Sequence, residues 1–327
     1  MAPGGLPLLG NQAVDFIVIG TGSAGERITR DLLSFHQEVV AVADPKLENQ
    51  PQKHQYQDPL DCLRKEAEGR TVVIASPHKF HAQQALLAID CGAHALLIEK
   101  PLAMKAEDAE AVWRGVNALG IKAGVYYNYR FHDALKTIMA TIPMNQPPGI
   151  LVVSACEDPQ EWPSWGPNSY LKDPENGGIL FAAMTHCIDF GIRLFGIVES
   201  VQAVIQGESE EQSVMLRTLH ANGNNCMMIS NWSDRKYWTL AYLDRHNSLT
   251  LDFYSKQLRG SMKTMHQDFL KQYLSYLSGD SIGEVCTVGQ AYENVVIMNA
   301  AMQSSQTNTI VAVTRNELGG TPLGDAR

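Results

Sequence analysis

Over the first 128 residues, short apolar runs bounded by turn residues alternate with stretches of helical period. Residues 16–19, 39–43, 71–74, 95–98 and 122–125 are rich in the aliphatic and β-branched side chains of strands buried on both faces. Strands separated by helices predict repeated strand-helix-strand units around a parallel sheet. The intervening helices have readable ends: Asp58 before Pro59 supplies a start, and Gly69, Gly92 and Gly120 stand where stops are expected. After Arg130 the pattern changes. Runs at 151–156, 201–206, 213–220, 226–232, 238–242 and 248–253 mostly follow one another directly, which predicts a mainly antiparallel sheet. Helical periods at 181–195, 265–277 and 290–304 would cover one face of it. The polar tail from Thr314, with Gly319, Gly320 and Gly324, is expected to be loose.

At 327 residues the chain exceeds what one hydrophobic core usually supports, so the change of pattern is read as a domain boundary. The fold class is therefore α/β: with the strand-to-helix turn Gly20-Thr21-Gly22-Ser23-Ala24-Gly25 after the first run, an N-terminal Rossmann dinucleotide-binding domain, 1–129, and a C-terminal α+β domain with a mainly antiparallel open sheet, 130–327. A net charge of -9 without a long basic run argues against a nucleic-acid partner, because such affinity depends on neutralising phosphates. The opening residues, Met1 to Gln12, lack the basic start and apolar centre of a secretory signal, and no window is expected to span a bilayer. The six cysteines, Cys62, Cys91, Cys156, Cys187, Cys226 and Cys286, lack the close pairs of zinc or redox centres and are read as reduced thiols of a cytoplasmic protein.

Directly after the first apolar run stands Gly20-Thr21-Gly22-Ser23-Ala24-Gly25, opening a helical stretch from Glu26. In this strand-to-helix context Gly20 permits a tight turn, Gly22 lets the backbone approach a pyrophosphate, and Gly25 allows close helix packing. The helix N-terminus favours the phosphate charge. Asp44 ends the second run, where a carboxylate accepts from adenosine ribose hydroxyls and repels a 2'-phosphate; otherwise it is a strand-end turn residue. NAD is thus the expected cofactor, with Lys46 two residues on able to offset part of that charge toward NADP.

Further segments carry a resemblance across most of the chain: Ile74-Ala75-Ser76-Pro77-His78-Lys79-Phe80-His81, Gly92-Ala93-His94, Ile98-Glu99-Lys100-Pro101-Leu102-Ala103, Asn128-Tyr129-Arg130-Phe131, Asn176-Gly177-Gly178-Ile179-Leu180, His186-Cys187-Ile188-Asp189 and Leu194-Phe195-Gly196. Together these resemble the signature of the glucose-fructose oxidoreductase and inositol dehydrogenase family. The resemblance implies a cofactor site that includes Ser76, Pro77, His81, Glu99 and Lys100. It also implies that Lys100 projects into the cleft, that the peptide before Pro101 is cis, and that His186 acts on a sugar hydroxyl. Elementary chemistry agrees, since hydride removal from an alcohol carbon needs a base for the hydroxyl proton and an electrophile for the oxygen. Without that context Lys100 would read as a surface lysine paired with Glu99, and His186 as a hydrogen-bonded core histidine.

One departure bears on activity. Where many relatives carry an aspartate four residues before the histidine, this chain has Ala182, and Met184 replaces a small residue. Either Lys100 and His186 suffice, or a carboxylate such as Asp173 or Glu175 reaches in, or the chemistry is lost. Trp162 and Trp165, in an aromatic segment before the glycine pair, either stack on a sugar ring or pin a loop. Tyr129 is a candidate substrate contact, and Arg130 either binds a substrate anion or forms an interdomain salt bridge. His78 and His81 have no partners at metal spacing, so no metal is predicted. The expected function is NAD(P)-dependent hydride transfer to or from a secondary hydroxyl of a sugar, a nucleotide sugar or a sialic-acid-like sugar, in a homodimer or homotetramer. A redox-neutral NAD-dependent glycosidase and a non-catalytic NAD-binding regulator are the alternatives.

Overall fold

The computed structural model describes residues 14–47, 51–52, 54–142, 148–162, 166 and 169–315. The first sheet contains β1 (Asp15–Ile19), β2 (Glu38–Ala43), β3 (His54–Tyr56), β4 (Thr71–Ile74), β5 (Ala95–Ile98) and β6 (Lys122–Val125), all parallel, in the order β3-β2-β1-β4-β5-β6. β4 and β5 are buried throughout, as continuous aliphatic runs require when helices cover both faces. The short strand β3 escapes the apolar pattern because His54-Gln55-Tyr56 sits at the sheet edge and needs no buried face.

Helices α1 (Ser23–Ser34), α2 (Pro59–Glu66), α3 (His81–Asp90) and α4 (Ala106–Leu119) make the crossovers. The Asp58 side chain accepts from the Leu60 amide at 2.8 Å and Pro59 occupies the first turn of α2, as the sequence predicts. Gly120 ends α4 in the left-handed conformation at φ +62°. Strand order reverses between β1 and β4, so a crevice opens beyond their carboxyl ends where a parallel sheet binds ligands.

Helix α5 (Asp133–Thr141) leads to the second sheet. Its strands are β7 (Ile150–Glu157), β8 (Val198–Gln206), β9 (Ser213–His220), β10 (Asn225–Trp232), β11 (Tyr237–Leu243), β12 (Ser248–Asp252) and β13 (Val311–Ala312), in the order β12-β11-β7-β10-β9-β8-β13. Only the β7/β10 pair is parallel. Buried and exposed positions alternate along β9 and β10, so the sheet has one covered face. Helices α6 (Thr185–Phe195) and α8 (Val288–Thr307) pack on this part of the molecule, and α8 touches both β8 and α4. Helix α7 (Ser261–Leu277) reaches the first half, where Phe269 lies 4.2 Å from the Tyr126 ring between centroids. The outer face exposes Val204, Met215, Met227 and Ile229 on neighbouring strands.

Three expectations need correction. The stretch predicted as one helix from 181 begins instead with a wide π-helical turn, Leu180–Met184, before α6. The helical stretch Pro174–Phe195 is long and apolar enough to cross a membrane, but 89% of its apolar window is buried inside the protein, so it is core. Arg315 is not loose, because its guanidinium grips the Glu293 carboxylate at 2.8 Å; the tail from 316 lies outside the described residues.

Candidate active site

The glycine turn divides its three glycines between two tasks. A Cβ on Gly20, which has φ +93°, would stand 2.5 Å from the Ala75 carbonyl oxygen, and one on Gly25 would stand 1.8 Å from that of Gly20. Those two positions are required by the fold itself. Gly22 caps α1 with φ -69° and ψ -174°, an ordinary extended conformation, and a Cβ there would meet nothing within 4 Å. Its lack of a side chain serves the space outside, which is a cavity of about 1020 Å³ running from this turn into the second half of the chain.

Ser23 and Ala24 line that cavity at the N-terminus of α1, and Asp44 lines it from the end of β2. Asp44 accepts from the Thr21 amide at 2.9 Å and the Lys46 amide at 2.8 Å, which fixes the carboxylate while leaving lone pairs for ribose hydroxyls. Ser76, Pro77 and Glu99 form the opposite wall. The Ser76 hydroxyl donates to Gln84 at 2.6 Å, and the Arg27 guanidinium donates to Glu99 at 3.1 Å. His81 also borders the cavity, but its ring nitrogens face the carbonyls of Pro101 at 2.6 Å and Ser76 at 2.8 Å, so the ring braces two backbone segments. An open glycine turn at a helix N-terminus with a carboxylate across from it fits a dinucleotide.

Deeper in, Lys100 and His186 meet in the same cavity although they come from different sheets' connections. The Lys100–Pro101 peptide is cis. The Lys100 ammonium donates to the Ala182 carbonyl at 2.7 Å, so the wide turn supplies a backbone oxygen where no side-chain carboxylate exists. Burial pulls the Lys100 pKa below the ordinary lysine value, partly offset by Glu99 and Glu157. His186 lies on α6 with 4% of its surface exposed, and its Nδ1 has no hydrogen-bond partner in the protein. Burial, then the charges of Lys100, His266 and Arg130, hold its pKa well below the usual histidine value, so it is neutral at pH 7. Tyr129 packs on the His186 ring at 4.7 Å and stacks on Trp238 at 4.4 Å.

Several candidates find other work. Arg130 does not reach the cavity: its guanidinium forms a two-pronged pair with Asp189, at 2.8 and 2.5 Å, with both side chains 1% exposed. Its expected role toward substrate is therefore corrected, because burial commits the pair to each other. Asp173 and Glu175 do not approach His186; both are held by Lys79, at 2.7 and 2.5 Å, across the junction between the two halves. Trp162 does line the cavity, with the Lys100 ammonium 6.0 Å from its ring centroid. Trp165 lies outside the described residues. Sequence reading missed Glu157, Lys236 and Trp238, which complete the cavity wall. They stand on or beside strands without a motif, and no local signal singled them out.

All six cysteines are free, and five are buried. Among the described residues, no group of three or more His, Cys, Asp or Glu is placed to hold a metal ion.

Comparison with known proteins agrees with this geometry. Residues 14–127 match the family model described as an oxidoreductase family with an NAD-binding Rossmann fold. A levoglucosan dehydrogenase of Pseudarthrobacter phenanthrenivorans is 33% identical over 139 residues, 41% of this chain and 35% of that protein. An NADP-dependent scyllo-inositol 2-dehydrogenase of Bacillus subtilis is 25% identical over 142 residues, 42% of this chain and 38% of its own length. The matches thus span little more than a third of these relatives. The structure superposes on the WlbA dehydrogenase of Chromobacterium violaceum, solved with NADH and UDP-GlcNAcA, with a TM-score of 0.79 and 16% identity, covering 95% of this chain and 99% of that one. That likeness establishes the two-sheet fold. Residues 14–127 are thus similar to the NAD-binding Rossmann domain of the oxidoreductase family of glucose-fructose oxidoreductase and inositol dehydrogenase, and the whole chain shares the two-sheet fold of solved dehydrogenases.

Proposed function

We propose that the protein is an NAD-dependent oxidoreductase acting on a secondary hydroxyl, or the corresponding ketone, of a sugar or sugar derivative. The observation that carries this reading is the convergence of Lys100 and His186 in one cavity continuous with the glycine turn. NAD supplies the hydride acceptor when bound. Gly22 and the first turn of α1 would hold its pyrophosphate, and Asp44 its adenosine ribose.

The protein's own groups do the rest. The Lys100 ammonium, anchored on the Ala182 carbonyl, is placed to hold the substrate oxygen and stabilise the negative charge it develops. Neutral His186 receives the hydroxyl proton, or returns it in the reverse direction, at the cavity it lines. Tyr129 and Trp238 hold the imidazole from one side, which restricts its orientation. The aspartate absent at Ala182 is not required by this scheme, because the π turn provides the Lys100 ammonium with a backbone acceptor. The relatives' names, a levoglucosan dehydrogenase and a scyllo-inositol 2-dehydrogenase, support a sugar or cyclic polyol, and the WlbA dehydrogenase solved with NADH and UDP-GlcNAcA shares the fold. The apolar outer face at Val204, Met215, Met227 and Ile229 supports pairing with a second copy of the chain.

The test is NADH formation with a panel of free, phosphorylated and nucleotide-linked sugars, run beside Lys100→Met and His186→Asn. Each substitution is expected to lower kcat/KM by roughly 100- to 10,000-fold while NADH affinity is retained. Saturable NAD binding without turnover of any sugar would overturn the dehydrogenase reading and turn attention to a regulator or a redox-neutral glycosidase.

A further inference from the structure

A carboxylate the proposed mechanism does not use is buried in the wall of the same cavity. Glu157 closes β7 and is 3% exposed. Its Oε1 accepts the indole N–H of Trp238 at 2.6 Å, and its Oε2 accepts that of Trp162 at 3.1 Å. The Lys236 ammonium lies 3.3 Å from the same Oε2 and 3.7 Å from Glu161. Both indoles line the cavity, and Trp238 stacks on Tyr129, which touches His186. A carboxylate has about four lone-pair positions, so Glu157 retains acceptor capacity after these three contacts.

An adjacent carboxylate and ammonium suit a hydroxyl, which donates to one and accepts from the other. Flanking aromatic faces suit the apolar side of a pyranose or cyclitol ring. A sugar acid fits poorly. Among the described residues at this end of the cavity, Lys236 is shared between Glu157 and Glu161, and Lys100 donates to the Ala182 carbonyl and is committed in the proposed scheme to the reacting oxygen. Nearby cations are already matched, with Arg130 on Asp189 and Lys79 on Asp173 and Glu175. An incoming carboxylate would lie beside two fixed carboxylates.

We propose that Glu157 and Lys236, clamped by the indoles of Trp162 and Trp238, form a hydroxyl-reading subsite that selects an uncharged polyhydroxylated ring over the corresponding sugar acid. This inference rests on the sugar-dehydrogenase reading of the same cavity. Both residues act in specificity and leave the proton and hydride steps to His186 and Lys100.

The experiment titrates the full chain, saturated with NADH, with D-glucose, myo-inositol and D-glucuronate, following tryptophan fluorescence. At least one neutral ligand is expected to bind tenfold or more tightly than glucuronate. Glu157→Gln removes the charge that repels the acid and should weaken the neutral ligand roughly tenfold, the worth of a hydrogen bond to a charged group, while erasing the preference. Lys236→Met should weaken the neutral ligand similarly and widen the discrimination against glucuronate. These opposite shifts separate a charge-reading site from general damage, and unchanged NADH affinity and circular dichroism check each variant's fold. If Glu157→Gln does not fold, Lys236→Met decides alone. Equal affinity for glucose and glucuronate, a preference unaltered by the variants, or no binding by any of the three overturns the proposal. Discrimination without hydride transfer would leave the subsite standing and sink the dehydrogenase reading. Turnover of glucose and glucuronate with equal efficiency would do the reverse.

Discussion

Exchanging Gly22 and Gly25 for alanine should separate what the fold needs from what the cofactor needs. In Gly25→Ala the new methyl group would sit 1.8 Å from the Gly20 carbonyl oxygen. Ordinary contact between such atoms is about 3.2 Å, so α1 or the turn must move by more than an ångström in a region packed at crystal density. Overpacking of this kind costs about 3 kcal/mol or more. In Gly22→Ala the methyl meets no atom within 4 Å, and the backbone is in a region any residue adopts. The fold should therefore change in stability by no more than about 1 kcal/mol, because the freedom the unfolded chain loses is offset by alanine's poorer fit at a helix N-cap. Dinucleotide affinity should nevertheless fall at least tenfold, about 1.4 kcal/mol, because the methyl takes space the pyrophosphate uses. Urea unfolding without ligand measures the first quantity and NADH fluorescence titration the second. Gly22→Ala with wild-type NADH affinity would refute the assignment of the turn, whatever its stability.

Removing one partner of the buried Arg130–Asp189 pair leaves an uncompensated charge, so Arg130→Met or Asp189→Leu alone should cost about 3–5 kcal/mol in chemical denaturation, and the double variant less than their sum. Stability should also fall on acidification. Burial holds His132 and His220 down to about 4, so each stays neutral in the fold but gains a proton when unfolded below about 6.5. The loss begins as pH drops through 6.5 and reaches about 2 kcal/mol per histidine at pH 5; a urea midpoint equal at pH 7 and pH 5 would count against it. Asp44→Ser should narrow the preference for NADH over NADPH at least tenfold in binding titrations, since the repulsive carboxylate is gone while Lys46 remains.

The chain's own pattern determined the order of elements and the cofactor end of the site. A glycine turn, a capping Asp-Pro and a β-branched run act over a few residues, so 16–19, 71–74 and 95–98 became strands where their composition put them. Gly20, Gly22, Gly25 and Asp44 could be read for the same reason, because strand, turn and helix follow each other along the chain. Lys100 and His186 were legible only through their surrounding motifs.

Partner choice was decided by tertiary structure. Nothing near Arg130 in the chain announces that Asp189 will neutralise it, 59 residues away. Glu157 and Trp238, 81 residues apart, meet because β11 pairs with β7, and alternation along a strand records burial without naming the neighbouring strand. The bond from Lys100 to the Ala182 carbonyl depends on a π turn that no residue in Leu180–Met184 signals by itself. Local backbone preferences are short-ranged and leave their mark in sequence, whereas the pairing of buried charges is settled only when packing excludes water and brings distant segments within hydrogen-bond reach.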